Sequence, residues 1–354
     1  MVHEQDILDY AAHMHCEELH MVTDEKTGLK AVVAIHNTKL GFALGGCRWI
    51  EYKSTLEATI DAIRLAQGMT YKSAIAGLPL GGGKAVLLKS KAPVDRKAYF
   101  AAFGRFLETL NGRYVTAVDS GTCIEDMDII ATQTNNVTST SNSIYSSPDP
   151  SSLTALGVYE GIKAGVKFKF GKDSLSGVHI AVQGVGHVGY HLVKLIWQDG
   201  AKITVSDSNH ILVERCVNEF KVDVVADIDN IYSVDCDVFS PCALGAVLNK
   251  KSIPMINAQI IAGAANNQLG ATEDAEMIAD RGILYAPDFV INAGAIIYVA
   301  GQYSKISEED SQTKIVAIAK TLQEIFECSV RERKNTHRVA YAIAFERIYG
   351  KVYD

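Results

Sequence analysis

The sequence predicts an α/β fold divided into two domains. Three observations predict it. The chain has 354 residues, and domains run at roughly 100–200 residues each. Short segments rich in Val, Ile and Ala alternate with segments of helical period, the order that builds parallel sheets flanked by helices. A Ser-, Asn- and Pro-rich stretch, Ser139-Thr-Ser-Asn-Ser143 then Ser146-Ser-Pro-Asp-Pro150, breaks that alternation, as turns and linkers do. The seam gives domains of 1–145 and 146–305, followed by a helical tail, 306–354.

Before the seam, Leu29–His36 reads as a strand. Ser54-Thr-Leu-Glu57 is a capping-box pattern, and Ile60, Ile63 and Leu65 follow on a helix. Lys84–Leu88 and Tyr114–Val118 read as further strands. Between them Pro93 is expected to open a helix carrying Phe103, Phe106, Leu107 and Leu110, closed by Asn111-Gly112. After the seam come a helix over Leu153–Val166, a strand over Val178–Gln183, a helix over Tyr190–Gln198 ended by Asp199-Gly200, and strands at Lys202–Ser206 and Asp237–Ser240. This order predicts a parallel sheet. In the tail, the run Arg331–Arg338 reads as a solvated helix end.

Composition removes several classes of function. Hydrophobic residues make up 48% and charged residues 21%, enough apolar surface for a core and too much for a disordered chain. A net charge of -7 argues against a nucleic-acid binder, which carries a basic face. The most apolar stretch, Val290–Gly301, is shorter than the ~20 residues of a spanning helix. The opening MVHEQDILDY lacks the basic start and apolar run of a signal peptide. A cytoplasmic protein without a membrane partner is the expectation. Seven cysteines, with no CxxC pair, read as a reduced set rather than a disulfide framework or zinc site. No metal is expected, and His13-Met-His15-Cys16 reads as a helix face because no complete ligand set accompanies it. Cys123 reads as a small buried filler.

Gly184-Val-Gly-His-Val-Gly189 fits G-x-G-x-x-G. It follows a predicted strand and opens a predicted helix, and Asp207 ends the next strand, the context a dinucleotide-binding fingerprint requires. Gly184 permits the tight turn, Gly186 lets the backbone approach a pyrophosphate, and Gly189 lets the helix pack close to the strand. The pyrophosphate would meet the free N–H groups of the helix around His187 and Val188, with His187 a helix-start residue rather than a catalyst. Asp207 would accept from the ribose hydroxyls and repel a 2′-phosphate, so the expected cofactor is NAD. The second domain is therefore expected to be a Rossmann-type, doubly wound NAD domain.

The first domain holds Gly68-Met-Thr-Tyr-Lys72 and Gly77-Leu-Pro-Leu-Gly-Gly-Gly-Lys84. The second is not a P-loop. Leu78 stands where the first Walker glycine would be, and Ala85 where Ser or Thr would bind magnesium. Its glycines are expected to admit a ligand or backbone and to set the direction of Lys84. Asp119, in Val118-Asp-Ser-Gly121, stands at a strand end, a common place for chemistry in such sheets.

The chain resembles the amino-acid dehydrogenases that include the leucine, valine, phenylalanine and glutamate enzymes, with the leucine branch nearest. The stretches that carry the resemblance are LGGCR (44–48), GMTYK (68–72), GLPLGGGK (77–84), NGRYVTAVDSGT (111–122), DPSSLTALGVY (149–159), AVQGVGHVGYHL (181–192), SPCALGA (240–246), IAGAANNQL (261–269) and YAPDFVINAGA (285–295). The resemblance runs from about residue 28 to 300. The resemblance implies an N-terminal α/β substrate domain, a C-terminal NAD domain, a cleft between them, and a homo-oligomer of two to eight subunits. It implies that Lys72 binds the substrate α-carboxylate, that Lys84 activates water, and that Asp119 exchanges a proton with the substrate nitrogen. Gly45, Gly46 and Asn266 would help fix the substrate, and Thr154, Ala243 and Asn292 would hold the nicotinamide end.

The chemistry asks for such groups. Oxidative deamination takes a hydride from Cα and leaves an imine that water must attack. A lysine acts as base near neutral pH only if burial or a nearby cation lowers its pKa to roughly 7–8, and two neighbouring lysines supply a like-charge term. The bland alternative, a pair of surface lysines, is disfavoured because both fall in matching motifs. Where the glutamate enzymes carry a lysine before the paired glycines, this chain has Leu44, so a second substrate carboxylate would be buried without a partner. Leu44, Ala117, Ile296 and Val299 align with the side-chain pocket of the leucine branch and favour Leu, Val and Ile. An apolar pocket separates one methylene by only about 1–3 kcal/mol, so a mixture of branched-chain substrates is expected. Departures occur at Val118, Ala295, Tyr298, Gly301 and Gln302. They leave open a relative acting on aromatic or unusual amino acids. A non-catalytic NAD- or amino-acid-binding sensor is the alternative from another class, and retention of Lys72, Lys84 and Asp119 weighs against it.

Overall fold

The computed structural model describes residues 6–142, 145, 149–225 and 227–351. Of the expected seam, residues 143, 144 and 146–148 lie outside these, as do the first five residues of the opening read against a signal peptide. The chain forms two compact units. The first holds the described residues before 149, with Val299–Glu308 and the described residues from Ala344 onward. The second holds Asp149–Tyr298 and Glu309–Ile343.

The first unit opens with α1 (Ile7–His13), then β1 (Glu18–Asp24) and β2 (Leu29–Asn37), a hairpin turned at Gly28 in the left-handed region (φ 73°). β3 (Ala43–Ile50), α2 (Thr55–Ile75), β4 (Gly81–Leu88), α3 (Arg96–Glu108), β5 (Tyr114–Val118) and α4 (Ile124–Ala131) follow. The sheet order is β1-β2-β4-β3-β5. β3 runs parallel to β4 and β5, whereas β2 is antiparallel to β1 and β4. The hairpin makes this sheet mixed. Leu29, Ala31, Val33, Cys47, Ala85 and Leu87 pack with Tyr99, Phe100 and Phe103 of α3 and Met127 of α4. On the other face Val32, Ala34 and Val86 pack with Ala58, Ala62, Ile63 and Ala66 of α2. Because side chains alternate along a strand, Leu44, Gly46, Arg48 and Lys84 belong to the α2 face.

Local chemistry sets the helix starts. Ser54 Oγ accepts from Glu57 N at 3.1 Å, and the Glu57 carboxylate accepts from Lys53 N at 2.9 Å, so the return bond reaches one residue before the cap. The helix expected from Pro93 begins instead at Arg96. Asp95 accepts from Ala98 N at 3.1 Å and fixes the start three residues later, because a carboxylate that satisfies a free N–H is the stronger signal. Arg347 Nη1, from the tail, donates to Ala74 O at 3.1 Å and Ile75 O at 2.7 Å, satisfying carbonyls at the end of α2.

The second unit begins with α5 (Ser151–Phe170), β6 (His179–Gln183), α6 (His187–Gln198), β7 (Lys202–Ser206), α7 (His210–Phe220) and β8 (Asp223–Val224). The chain then continues through β9 (Val238–Pro241), β10 (Ile260–Ile261), α8 (Asp274–Asp280), β11 (Leu284–Tyr285) and α9 (Asp288–Ile291). α10 (Gly294–Tyr303), α11 (Glu308–Val316), α12 (Ile318–Glu332) and α13 (Thr336–Tyr349) complete the chain. The sheet order is β11-β10-β9-β6-β7-β8, and every pairing is parallel. The chain moves outward from β6 through β8, then crosses to β9 on the other side of β6. That reversal is the switch point of a doubly wound sheet, where ligands bind beyond the strand ends. Residues 306–354 are no separate body: 309–343 belong to the second unit, and the remaining described tail residues to the first. The apolar stretch Val290–Gly301 lies in α9 and α10, and no described helix is long and apolar enough to cross a membrane.

Candidate active site

Glycines decide where the charged groups of the first unit stand. Between the pairs Leu44↔Gly82 and Cys47↔Ala85 the β3–β4 ladder skips two residues. The Tyr114 hydroxyl enters the gap, donating to Gly45 O at 2.7 Å and accepting from Ala85 N at 3.0 Å. A Cβ on Gly83 would stand 2.7 Å from the Tyr114 ring, one on Gly82 would overlap Thr70 N of α2, and one on Gly81 would overlap Asn37 O. The triplet before Lys84 thus admits the protein's own backbone and an aromatic ring. Tyr114→Phe is expected to cost about 1–3 kcal/mol, because the Ala85 N–H loses its acceptor in the core. Equilibrium urea unfolding measures this, and an unchanged midpoint would remove Tyr114 from the role.

Lys84 is buried, and its Nζ donates to Asp119 Oδ2 at 2.7 Å. Asp119 follows β5, and a Cβ on Gly46 would stand 2.7 Å from its Cβ, so Gly46 makes room for the carboxylate. Thr122 Oγ1 accepts from Asp119 N at 2.9 Å and steadies the loop. Arg48 Nε donates to the same Oδ2 at 3.2 Å, and its Nη1 donates to Asp61 Oδ2 at 3.0 Å. The Tyr52 hydroxyl also donates to Asp61 Oδ2, at 2.6 Å. Burial alone would raise the Asp119 carboxyl. The charges of Lys84 and Arg48, with hydrogen bonds from Lys84 and the Ser120 backbone, outweigh it and hold the group below the usual carboxylate range.

The cation that shares this oxygen with Lys84 is Arg48, a residue to which the sequence reading gave no role; Lys72 was expected to meet the substrate α-carboxylate and to lie near Lys84. Lys72 stands half-buried in the last turn of α2, two residues beyond the Thr70 that packs on Gly82. Arg48, Asp61 and Tyr52 were missed. One signal for Arg48 was available: in LGGCR it alternates with Leu44 and Gly46, so it shares their face. Leu44 and Ala117 are buried beside this cluster, with Gly46 paired to Ala117 across β3 and β5.

In the second unit the three loop glycines differ in what surrounds them. Gly184 has φ 92°, and a Cβ there would stand 2.8 Å from that of Ala243. Gly189 has no room either, since its Cβ would overlap Gly184 O, whereas nothing lies within 4 Å of a Cβ on Gly186. The turn is closed where strand and helix meet and open where a pyrophosphate would approach. α6 begins at His187, with Val188 in its first turn. His187 is largely exposed, its ring 3.7 Å from the Asp149 carboxylate. Asp207 Oδ2 accepts from Val185 N and Oδ1 from Asn209 N, both at 2.8 Å, which fixes the carboxylate beside the turn. Asn292 donates to Ala264 O at 3.1 Å and to Asn266 Oδ1 at 2.9 Å, while its own Oδ1 is buried without a hydrogen-bond partner. Thr154 is buried on α5, its backbone against Gly294. These features fit a dinucleotide: an open glycine turn at a helix N-terminus, an acid at the next strand end, and an unmatched amide oxygen. On α10, Ile296 is buried and Val299 half-buried. Among the described residues no group of three or more His, Cys, Asp or Glu could hold a metal ion.

Comparison with known proteins agrees with both halves. The family model described as Glu/Leu/Phe/Val dehydrogenase, dimerisation domain, matches residues 13–136. The model described as glutamate/leucine/phenylalanine/valine dehydrogenase matches residues 212–352. A leucine dehydrogenase from Geobacillus stearothermophilus is 46% identical over 97% of this chain and 93% of its own length. The chain belongs to the Glu/Leu/Phe/Val dehydrogenase family. A valine dehydrogenase of the family, from Streptomyces virginiae, is 41% identical over 88% of this chain and 87% of its own. The crystal structure of an L-tryptophan dehydrogenase from Nostoc punctiforme superposes with a TM-score of 0.86 at 37% identity, covering 98% of this chain and 99% of that one. A hetero-hexameric glutamate dehydrogenase from Thermus thermophilus gives a TM-score of 0.76 at 18% identity, covering 98% and 92% of the two chains, and shares the fold. The family uses a nicotinamide dinucleotide, in line with the Gly184–Gly189 turn.

Proposed function

We propose that the chain catalyses the reversible, NAD-dependent oxidative deamination of branched-chain L-amino acids, leucine with valine and isoleucine, to the 2-oxo acid and ammonia. The observation that carries this reading is the buried Lys84, 2.7 Å from the half-buried Asp119, beside the apolar Leu44 and Ala117 in a chain so similar to leucine and valine dehydrogenases. The nicotinamide supplies the hydride acceptor. Gly184, Gly186, His187, Val188 and Gly189 would hold the pyrophosphate, Asp207 the ribose, and Thr154, Ala243 and Asn292 the nicotinamide end. The Asp207 charge favours NAD over NADP, whose 2′-phosphate it would repel.

Lys72 pairs with the α-carboxylate, and Gly45, Gly46 and Asn266 orient the substrate. The substrate ammonium gives a proton to Asp119, and hydride then leaves Cα to give a protonated imine. Lys84 takes a proton from the water that attacks the imine carbon, giving a neutral carbinolamine, and passes that proton to solvent. Asp119 returns its proton to the nitrogen and Lys84 takes the proton of the carbinolamine hydroxyl as the C–N bond breaks, so that ammonia and the 2-oxo acid are released. Leu44 and Ala117 meet the substrate side chain with apolar surface, which offers no partner to a second carboxylate. The first family model is described as a dimerisation domain, and we assign a homo-oligomer.

Initial rates of NADH formation with Leu, Val, Ile, Phe, Trp and Glu, each with NAD and with NADP, test the reading. Preference for the three branched-chain substrates and for NAD is expected. The similarity to a tryptophan dehydrogenase supports a second reading, and activity confined to Phe and Trp would select it. Turnover of glutamate as the best substrate would overturn both.

A further inference from the structure

We propose that Arg48 is a positioning residue for this chemistry: it is the second cation on Asp119, holding that carboxylate in place and charged while Lys84 is neutral. The inference rests on the reading of Lys84 as the base. Both cations meet one oxygen, Lys84 Nζ at 2.7 Å and Arg48 Nε at 3.2 Å from Asp119 Oδ2. A general base is neutral for part of every turnover. In that interval Asp119 loses one of its two counter-charges, in a place where the Lys84 side chain is 7% and the Asp119 side chain 22% exposed. A carboxylate so placed and left unpaired would take up a proton. A guanidinium does not lose its proton in proteins, so Arg48 keeps its charge when Lys84 does not.

The geometry around Arg48 suits a fixed role. Its planar head bridges two carboxylates, Asp119 after β5 and Asp61 on α2. Asp61 is itself held by the Tyr52 hydroxyl at 2.6 Å. Three elements thus converge on one side chain, and Asp61 and Tyr52 act through Arg48. The titratable groups facing Asp119 are Lys84 from β4, Arg48 and Cys47 from β3, and Tyr114 from β5. Burial pushes the Cys47 thiol up to about 12 and raises the Tyr114 phenol as well, so both stay neutral. The charges that act on Asp119 from these groups are those of Lys84 and Arg48.

The test is the pH profile of kcat/KM for L-leucine with NAD in the wild type and in Arg48→Gln, Arg48→Lys and Tyr52→Phe. Removing the guanidinium makes protonation of the Asp119–Lys84 pair easier, so the acid-side midpoint moves up. Arg48→Gln is expected to raise it by about one pH unit, the scale of one neighbouring charge, and to lower kcat by ~10–100-fold, with the KM for NAD unchanged. Arg48→Lys returns the charge and is expected to bring the midpoint back toward wild type. Tyr52→Phe, a milder change near the surface, moves it upward by less. A carbon-13 NMR titration of the Asp119 carboxyl in the same proteins reads the effect without substrate. An Arg48→Gln protein that turns over with the wild-type midpoint, or an Arg48→Lys protein that behaves like Arg48→Gln, would overturn the proposal. A wild type that turns over none of the amino acids would instead overturn the functional reading, while the carboxyl titration still reports on Arg48.

Discussion

Lys84→Ala is expected to lower kcat for L-leucine by ~10²–10⁴-fold, the range a positioned general acid or base contributes, with NAD affinity unchanged. The separation follows from the fold. Lys84 lies on β4 of the first unit, whereas the glycine turn and Asp207 belong to the second. The substitution also spares the structure, because Asp119 keeps Arg48 as a partner at 3.2 Å. Steady-state rates and a fluorescence titration of NAD measure the two quantities. A kcat within a factor of three of wild type would take the base role away from Lys84.

Gly46→Ala is expected to reach a similar loss without touching a charged group. The new Cβ would stand 2.7 Å from Asp119 Cβ and 2.8 Å from Val118 O. Backbone cannot yield cheaply, so the end of β5 must move and carry the carboxylate with it. A displacement of about 1 Å at a reacting group costs on the order of 100-fold in rate. Forcing an extra methyl into a packed site also destabilises by about 1–3 kcal/mol. Rates and urea midpoints on the same protein check both effects. Full activity in a stably folded Gly46→Ala would mean that Asp119 does not depend on this glycine.

Much of the second unit was legible in the sequence. β6, the glycine turn, α6 and Asp207 lie close together in the chain, and each residue type states its own backbone requirement. β10 and β11, two residues each, leave too short a pattern to read. In the first unit β1 and β3 were passed over. β3 reads Ala-Leu-Gly-Gly-Cys-Arg-Trp-Ile, and paired glycines argue against a strand. The structure gives the reason they are there: Gly45 packs against the Gly83 carbonyl beside the Tyr114 hydroxyl, and Gly46 faces Asp119. These partners come from elements distant in sequence, so tertiary contact overrides local preference. The glycines of β4 hid the first half of that strand in the same way. Arg48 was overlooked because its meaning lies in Asp119, 71 residues away, and in Asp61 on the helix between. Lys84 was legible as chemistry because it ends a glycine-marked motif, and Asp119 because it stands at a strand end.

The most direct test of the account is a stoichiometry. Wild-type protein given L-leucine and NAD should yield NADH, ammonia and the 2-oxo acid in equal amounts, and Lys84→Ala should form all three ~10²–10⁴-fold more slowly. NADH formed without matching ammonia, or wild-type initial rates from Lys84→Ala, would contradict the assignment of oxidative deamination to the Lys84–Asp119 site.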